Sequence, residues 1–527
     1  MLLDSQVARA TVLAGITLVT YYAWTYMQSP LRRIPGPFLA IFTDLWRLSS
    51  WWTGRTHLAQ IELHRKLGRA VRLGPNMVSL SDPTLIPTVY SSTKPWLKSD
   101  MYSSNDIVVN GVKTSNIFAT TDHAWHTKMV KPIRNMGTMT KTLANCEGAV
   151  DETITLLCSQ MDTLAKEGAT VRMEKWLLYF AYDCLHKLTF DFHRGYLETG
   201  DDVGSFIKDA YGGLVYFGLC VSMPVLHRLL IGNPLLKPFL GKPPFLGKPP
   251  FLWAFQQAYA AVAARKAQHE AAGSLPGSSD FLDLFLAARS TYPDIVTGDD
   301  VVVNYLFLNL VAGSDTTGTS LAVILYYVYR DPRILAKLRA ELVVAGYDGS
   351  SILTYRDGAR LPYLNAVVQE GLRFHPPIGL TLERVVPSRG WQMPDGGPML
   401  PKGTKVGMNA WVSNRDEVVF GSEDVDAFVP ERWTKRAEEK EEDWSERIAQ
   451  MKNLMLTFGH GSRVCTGKSI AMLELVKVVG TFVGRYDLEF LTPEWRTENI
   501  WFVFPSGFDV RVTPREGVRE LGSPDER

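Results

Sequence analysis

The chain runs from Ala10 to Met27 without a charge. At ~1.5 Å per residue that stretch makes a helix about 27 Å long, close to the thickness of a bilayer core. Tyr21, Tyr22, Trp24 and Tyr26 crowd its far end, as at a membrane interface, and Arg32 and Arg33 follow, which favours a cytoplasmic body. The pattern predicts one N-terminal transmembrane helix, with residues 1–33 as anchor and basic flank. A cleaved signal peptide fits less well, because Asp4 and Arg9 precede the run and its end is aromatic rather than small. Ile34-Pro35-Gly36-Pro37 cannot continue a helix and predicts a rigid elbow.

Beyond the elbow, Val71-Arg72-Leu73 and Met77-Val78-Ser79-Leu80 flank Gly74-Pro75-Asn76, a strand–turn–strand signal. Asp82-Pro83 reads as a helix start. The polar stretch Ser91–Thr120 reads as a long loop. Helical patterns follow from about Asp122 to Arg134, Cys146 to Gln160, Met173 to Thr189 and Trp253 to Ala272. Lys242-Pro243-Pro244-Phe245-Leu246-Gly247 is nearly repeated by Lys248–Leu252; it reads as a tandem duplication in a tolerant loop, or as a basic apolar segment resting on a membrane surface. Gly273–Ser279 is a small-residue linker. An unusually long helix is predicted from about Asp299 to Tyr329, stopped by Asp331-Pro332, with helices at Arg333–Val344 and Leu361–Phe374 after it. Short strands are predicted at Thr381–Val386 and Lys405–Ala410, a solvated charged insertion at Lys435–Arg447, and a last helix at Lys468–Val483. The fold class is mainly α with small β-sheets (α+β), with residues 34–527 as one catalytic domain.

Composition narrows the partners. With 56 Lys+Arg against 55 Asp+Glu and no basic stripe, nucleic acid is excluded as a partner. The five cysteines, Cys146, Cys158, Cys184, Cys220 and Cys465, form no C-x-x-C pair, which argues against a disulfide framework or a structural zinc site.

Candidate chemistry centres on Phe458-Gly459-His460-Gly461-Ser462-Arg463-Val464-Cys465-Thr466-Gly467. Its glycines let the backbone turn tightly and approach a flat partner. Cys465 precedes a helix whose N-terminal dipole favours a thiolate. A thiolate ligating haem iron pushes electron density toward it. Ala312-Gly313-Ser314-Asp315-Thr316-Thr317 lies mid-way along the longest helix, where glycine costs ~1 kcal/mol and Ser or Thr bonds back to a carbonyl. A weak helix centre of this kind suggests a groove for O2, with Thr316 steering a proton from an acid such as Asp315. Glu370 and Arg373, three apart, share a helix face.

These stretches resemble the cytochrome P-450 family, whose haem loop reads F-x-x-G-x-R-x-C-x-G. The oxygen-activating A/G-G-x-D/E-T-T/S motif, the E-x-x-R pair and the F-x-P-E-R-F/W element (here Phe428–Trp433) are also matched. The N-terminal half is similar to fungal microsomal members of the pisatin-demethylase-like group.

The resemblance implies haem b with Cys465 as axial ligand, cradled by Phe458, Gly459 and Gly467. Arg463, Arg384 and His123 would meet its propionates, and Glu370, Arg373 and Arg432 would form a buried structural triad. The arginine usual four residues after His123 is Thr127 here, with Lys128 beside it. The substrate pocket would draw on Ile107, Phe118, Phe307, Leu310, Val311, Ala312, Ile378, Thr381 and Phe504.

The implied activity is insertion of one oxygen atom from O2 into a hydrophobic small molecule, probed against two alternatives: a haem-thiolate isomerase or dehydratase, and a non-catalytic membrane haem sensor. Electrons would come from NADPH through NADPH–cytochrome reductase, docked on Lys128, Lys131, Lys452 and Lys468. Membrane lipid would be the other partner, at the endoplasmic reticulum.

Overall fold

A computed structural model describes residues 2–109, 112–134, 138–230, 252–272, 280–394, 396–421 and 424–518. The Lys242–Leu252 repeat, apart from its last residue, and the Gly273–Ser279 linker lie outside them.

The helices that position the site are α1 (Leu2–Gln28), α2 (His123–Met129), α3 (Met139–Lys166), α4 (Met173–Phe190), α5 (Phe206–Ser222), α6 (Leu252–Ala272), α7 (Asp299–Arg330), α8 (Pro362–Phe374), α9 (Glu441–Leu454) and α10 (Lys468–Arg485). The 32-residue α7 is the axis of the molecule, packed by α4, α6, α8 and α10. From Val302 to Tyr329 nearly every side chain of α7 is buried, except around Val311–Gly313 and Thr316. A helix apolar on all sides belongs in a core. Asp331 ends it by accepting from the backbone N–H groups of Arg333 and Ile334, capping the next helix with Pro332 at its first position.

Five strands form the main sheet: β1 (Ala70–Gly74), β2 (Met77–Leu80), β3 (Leu97–Lys98), β4 (Leu382–Val385) and β5 (Lys405–Met408), in the order β1-β2-β5-β4-β3. The expected hairpin is β1–β2, with Ala70 opposite Leu80. A separate hairpin joins β6 (Arg496–Asn499) to β7 (Val503–Ser506).

The structure departs from the sequence reading, or adds to it, at four places. Ser91–Thr120 is not all loop: besides β3 it holds a 3-10 turn at Asp100–Asn105 and a hairpin of Ile107–Val109 with Val112–Thr114. The segment between α4 and α6 contains α5, whose Gly218 sits where a Cβ would lie 1.8 Å from the Ile500 carbonyl oxygen, so close packing sets aside a poor local propensity. The charged tract at Lys435–Arg447 is mostly exposed, as expected, but it is also tied to the body. Arg447 pairs with Glu439 and donates to the Arg432 and Thr434 carbonyls, while Met451 and Leu454 of α9 bury against Phe420 and Trp433.

The fourth concerns α1. It is one continuous helix of 27 residues, but among the described residues no helix is long and apolar enough to cross a membrane. Thr11, Thr17, Thr20 and Thr25, with the tyrosines, dilute the apolar run. The transmembrane reading of Ala10–Met27 is therefore not supported. Leu13, Ile16, Val19, Tyr21, Trp24 and Met27 are exposed along α1.

Candidate active site

Cys465 sits at the end of the predicted loop, and its backbone N–H donates to the Phe458 carbonyl at 2.8 Å, closing the bend. Gly459 and Gly461 have φ of +70° and +66°, and a Cβ at Gly461 would lie 1.8 Å from the Tyr90 carbonyl oxygen. Gly467 is the N-cap of α10. The sulfur faces open space yet is crowded by protein: it receives the N–H groups of Gly467 and Lys468 and the charge of Lys468, as the dipole argument expects, but desolvation by the protein packed around it outweighs these and pushes the free thiol pKa up. A thiolate here therefore needs a cation to hold it.

Val464, Cys465 and Thr466 are exposed, as is Ala312 at the centre of the otherwise buried α7. Exposure at mid-helix in the core requires a cleft, and Ala312, Val311 and Thr316 line it. The Thr316 hydroxyl donates to the Ala312 carbonyl at 2.9 Å, the expected back-bond, and α7 stays continuous through it. Asp315 turns to another face: its Oδ1 accepts from the Tyr182 hydroxyl at 3.1 Å, and burial raises its pKa to about 7. No hydrogen bond joins Asp315 to Thr316, so the direct hand-over expected from sequence is replaced by two adjacent, separately held groups.

A cluster of buried cations flanks the loop. Lys98 lies opposite Arg384 in the β3–β4 register, and Arg463 repels both. Lys98 donates to the Phe118 carbonyl, with its Nζ 4.1 Å from the Tyr102 ring centre and 4.2 Å from that of Phe118. Burial and these neighbours push the Lys98 pKa well down and Arg463 to about 10. Like charges opposed and desolvated are costly unless anions join them. Two carboxylates would fit, and haem carries two propionates.

His123 reaches the edge of this cluster and feels Arg463, while His126, which the sequence did not single out, is buried beside it with its pKa lowered to about 3. Thr127 bonds back to the His123 carbonyl at 2.8 Å, and Lys128 is exposed. Lys98, unlike the exposed Lys128, is a buried cation, and its charge acts on His126 beside this position.

The Glu370–Arg373–Arg432 triad forms as expected. Arg373 donates to both Glu370 oxygens at 2.8 Å, and Arg432 Nε to Oε1 at 2.9 Å. Trp433 Nε1 and the Val429 N–H complete the carboxylate's shell. Its link to the haem loop is Asn414: Arg373 donates to the Asn414 carbonyl, the Asn414 Oδ1 accepts from Leu456 N–H at 3.0 Å, and its Nδ2 donates to Thr457 Oγ1.

The pocket residues divide. Phe118 packs edge-on against Tyr102, Phe217 and Trp501. Ile378 is half-buried and bridges to Phe502. Ile107 lies in a described strand, but its side chain is outside the described set. Phe307 and Leu310 are core residues, not cleft residues: Phe307 stacks on Phe255 at 4.1 Å, because that face of α7 meets α6. The buried Thr381 hydroxyl is committed to Gln60. Phe504 faces Tyr211. The sequence pointed to Phe504, but Trp501 is the hairpin residue that meets Phe118, and it also meets Phe217 at 4.6 Å.

A thiol in a glycine bend, a cationic rim that suits two carboxylates and a central helix exposed at Ala312 beside its Asp-Thr step define a haem-thiolate enzyme. Residues 34–506 match the cytochrome P-450 family, and the chain belongs to it. Relatives agree along nearly the whole chain. The cytochrome P-450 monooxygenase cicH of Emericella nidulans is 38% identical over 93% of this chain and 95% of its own length. A cytochrome P-450 monooxygenase of Aspergillus terreus is 37% identical over 87% and 90%, and pkfB of Emericella nidulans is 36% identical over 95% of each. The chain is a cytochrome P-450 monooxygenase, and the family implies a haem-thiolate cofactor.

Proposed function

We propose that this monooxygenase hydroxylates a hydrophobic small molecule of fungal secondary metabolism, drawing electrons from NADPH through NADPH–cytochrome reductase. The overall reaction is RH + O2 + NADPH + H⁺ → ROH + H2O + NADP⁺. The observation that carries the substrate class is the aromatic cluster of half-buried Phe118 with buried Phe217 and Trp501. Such a cluster offers a large apolar area and few polar anchors.

Cys465 would hold haem b, with Arg384, Arg463, Lys98 and His123 at its propionates, and the group would supply the O2 and redox chemistry. The chain's own residues do the rest. Asp315 exchanges a proton near neutrality, Thr316 presents a hydroxyl at the cleft, and the aromatic wall excludes water and orients the substrate. An isomerase or dehydratase working without O2 would have no use for the acid and alcohol on α7, nor would a haem sensor.

Attachment to the endoplasmic reticulum through α1 belongs to the same reading. Its support is the exposed apolar series Leu13, Ile16, Val19, Trp24 and Met27 and the basic Arg32-Arg33 flank. The exposed Lys128, Lys131, Lys452 and Lys468 offer an acidic reductase a basic surface.

The test is incubation of reductase-supplied microsomes with candidate apolar metabolites under ¹⁸O2. A product carrying one labelled oxygen, only with NADPH, is expected. Turnover independent of NADPH would overturn the reading.

A further inference from the structure

A cavity of about 420 Å³ opens between α4, α7 and β7, away from the haem loop. Glu174 and Leu178 of α4 wall it on one side, and Gly318, Thr319 and Ala322 of α7 on the other. Its rim is charged: Arg172 and Lys175 are exposed there, and Asp509 lines it too. A polar rim and this volume suit water.

The helical spacing gives the cavity a direction. Glu174, Leu178 and Tyr182 are four apart and share one face of α4. Ala322, Gly318 or Thr319, and Asp315 are three or four apart and share one face of α7. The two stripes meet closely, since a Cβ on Gly318 would stand 2.9 Å from the Leu178 Cα. One turn further in on each helix, the Tyr182 hydroxyl donates to Asp315 at 3.1 Å. Leu178 and Gly318 thus form the inner wall of the cavity, and Tyr182 with Asp315 lies one turn behind it along the same seam.

Resting on the monooxygenase reading, we propose that Tyr182 is a positioning residue that links this cavity to Asp315, so that protons consumed in turnover enter along the α4–α7 seam. The half-reaction RH + O2 + 2e⁻ + 2H⁺ → ROH + H2O needs two protons per turnover. Tyr182 passes its hydroxyl proton to the Asp315 carboxylate and takes one from water on the cavity side, so the phenol ends as it began.

The surroundings suit this role. Tyr182 is the titratable side chain that faces Asp315; Tyr182 itself faces Tyr196 and Asp202, and its backbone carbonyl accepts from His186 Nδ1 at 2.9 Å. Glu474, the next buried carboxyl, faces Thr317 and Cys184 instead. Burial raises Asp315 to about 7 and the Tyr182 hydrogen bond opposes the rise, so both protonation states exist near neutral pH.

Tyr182→Phe removes one oxygen and keeps the ring. The readout is the protonated-carboxyl infrared band of the holoenzyme, assigned by its loss in Asp315→Asn and titrated with pH. Its midpoint is expected near neutrality in the parent protein and higher by roughly one pH unit in Tyr182→Phe, where the opposing hydrogen bond is gone. In NADPH-driven turnover the variant is expected to show a larger solvent deuterium isotope effect and more peroxide per NADPH. An unchanged midpoint overturns the proposal, and so does a shifted midpoint with an unchanged isotope effect. Absence of oxygenation in the parent protein would count against the monooxygenase reading while leaving the infrared comparison intact.

Discussion

Lys98 and Arg384 are cross-strand partners, two cations set opposite each other by the β3–β4 register, with Arg463 of the haem loop acting on both. Two desolvated like charges in register oppose folding unless an anion shares them. The arrangement suits an anion, such as a cofactor carboxylate, and in the proposed reading Lys98 supplies there a cation that the sequence lacks at Thr127.

Lys98→Met is accordingly expected to loosen haem while making the haem-free protein more stable. A charge-assisted hydrogen bond contributes ~1.5–3 kcal/mol, so haem transfer to apomyoglobin should quicken by about tenfold or more. Adding Thr127→Arg to that variant should restore retention. Unchanged transfer in Lys98→Met would show that the lysine does not hold the propionates.

Glu370 receives five donors: three guanidinium N–H groups from Arg373 and Arg432, the Trp433 indole and the Val429 backbone. Arg373→Ala leaves a buried carboxylate short of its closest partner and should cost about 3–5 kcal/mol in urea denaturation, with little haem incorporated. Arg373→Lys should not rescue it, since one ammonium cannot replace a fork that also donates to the Asn414, Val425 and Ala427 carbonyls. Asn414→Ala, which cuts the link to Leu456 and Thr457, should cost less, about 1–3 kcal/mol, and weaken haem retention all the same.

What the sequence made legible was contiguous. The haem loop, the Asp315-Thr316 step, Glu370-Arg373 and Arg432 each stand inside a short pattern, and the helices holding them follow from periodicity and from the Asp331-Pro332 stop. Lys98, Asn414, Tyr182 and Trp501 were not legible, because each acquires its role from a partner 30 to 400 residues away, roughly speaking, through packing that no local pattern encodes. Helix α5 escaped for a related reason: Gly212, Gly213 and Gly218 depress its local propensity, and only the contact of Gly218 with Ile500 explains why a glycine is needed. The family resemblance placed Phe307 and Leu310 in the pocket, whereas a helix turns ~100° per residue, and here Phe307 stacks on Phe255 of α6 and Leu310 is buried in the core.

Glu474 makes stability depend on pH. It is buried between α10, α4 and α7, accepts from Cys184 Sγ at 3.4 Å, and burial raises its pKa to about 8 from an ordinary 4.5. The folded state thus holds the proton more tightly than the unfolded state. Its contribution is fully present below about pH 4.5 and is lost as pH rises toward about 8. Within that window the loss approaches ~1.4 kcal/mol per pH unit, with Asp315 adding a similar slope up to about pH 7. Glu474→Gln should flatten the upper part of a urea-midpoint-against-pH curve. An identical slope in the variant would mean that the carboxyl is charged in the native protein.

Trp501 and Phe504 separate the two sides of the β6–β7 hairpin. The Trp501 ring meets Phe118 and Phe217, whereas Phe504 turns to Tyr211 and the α4–α7 cavity. Trp501→Ala should therefore weaken the substrate-induced spectral shift by roughly tenfold, from lost apolar area and at least one edge-on aromatic pair. Haem content should not change, because Trp501 is no part of the cationic rim or the thiol loop. Phe504→Ala should leave the substrate dissociation constant where it was. If the two variants behaved alike, or if Phe504→Ala were the more damaging, the substrate would bind on the other side of the hairpin, and the aromatic wall of Phe118, Phe217 and Trp501 would be core packing alone.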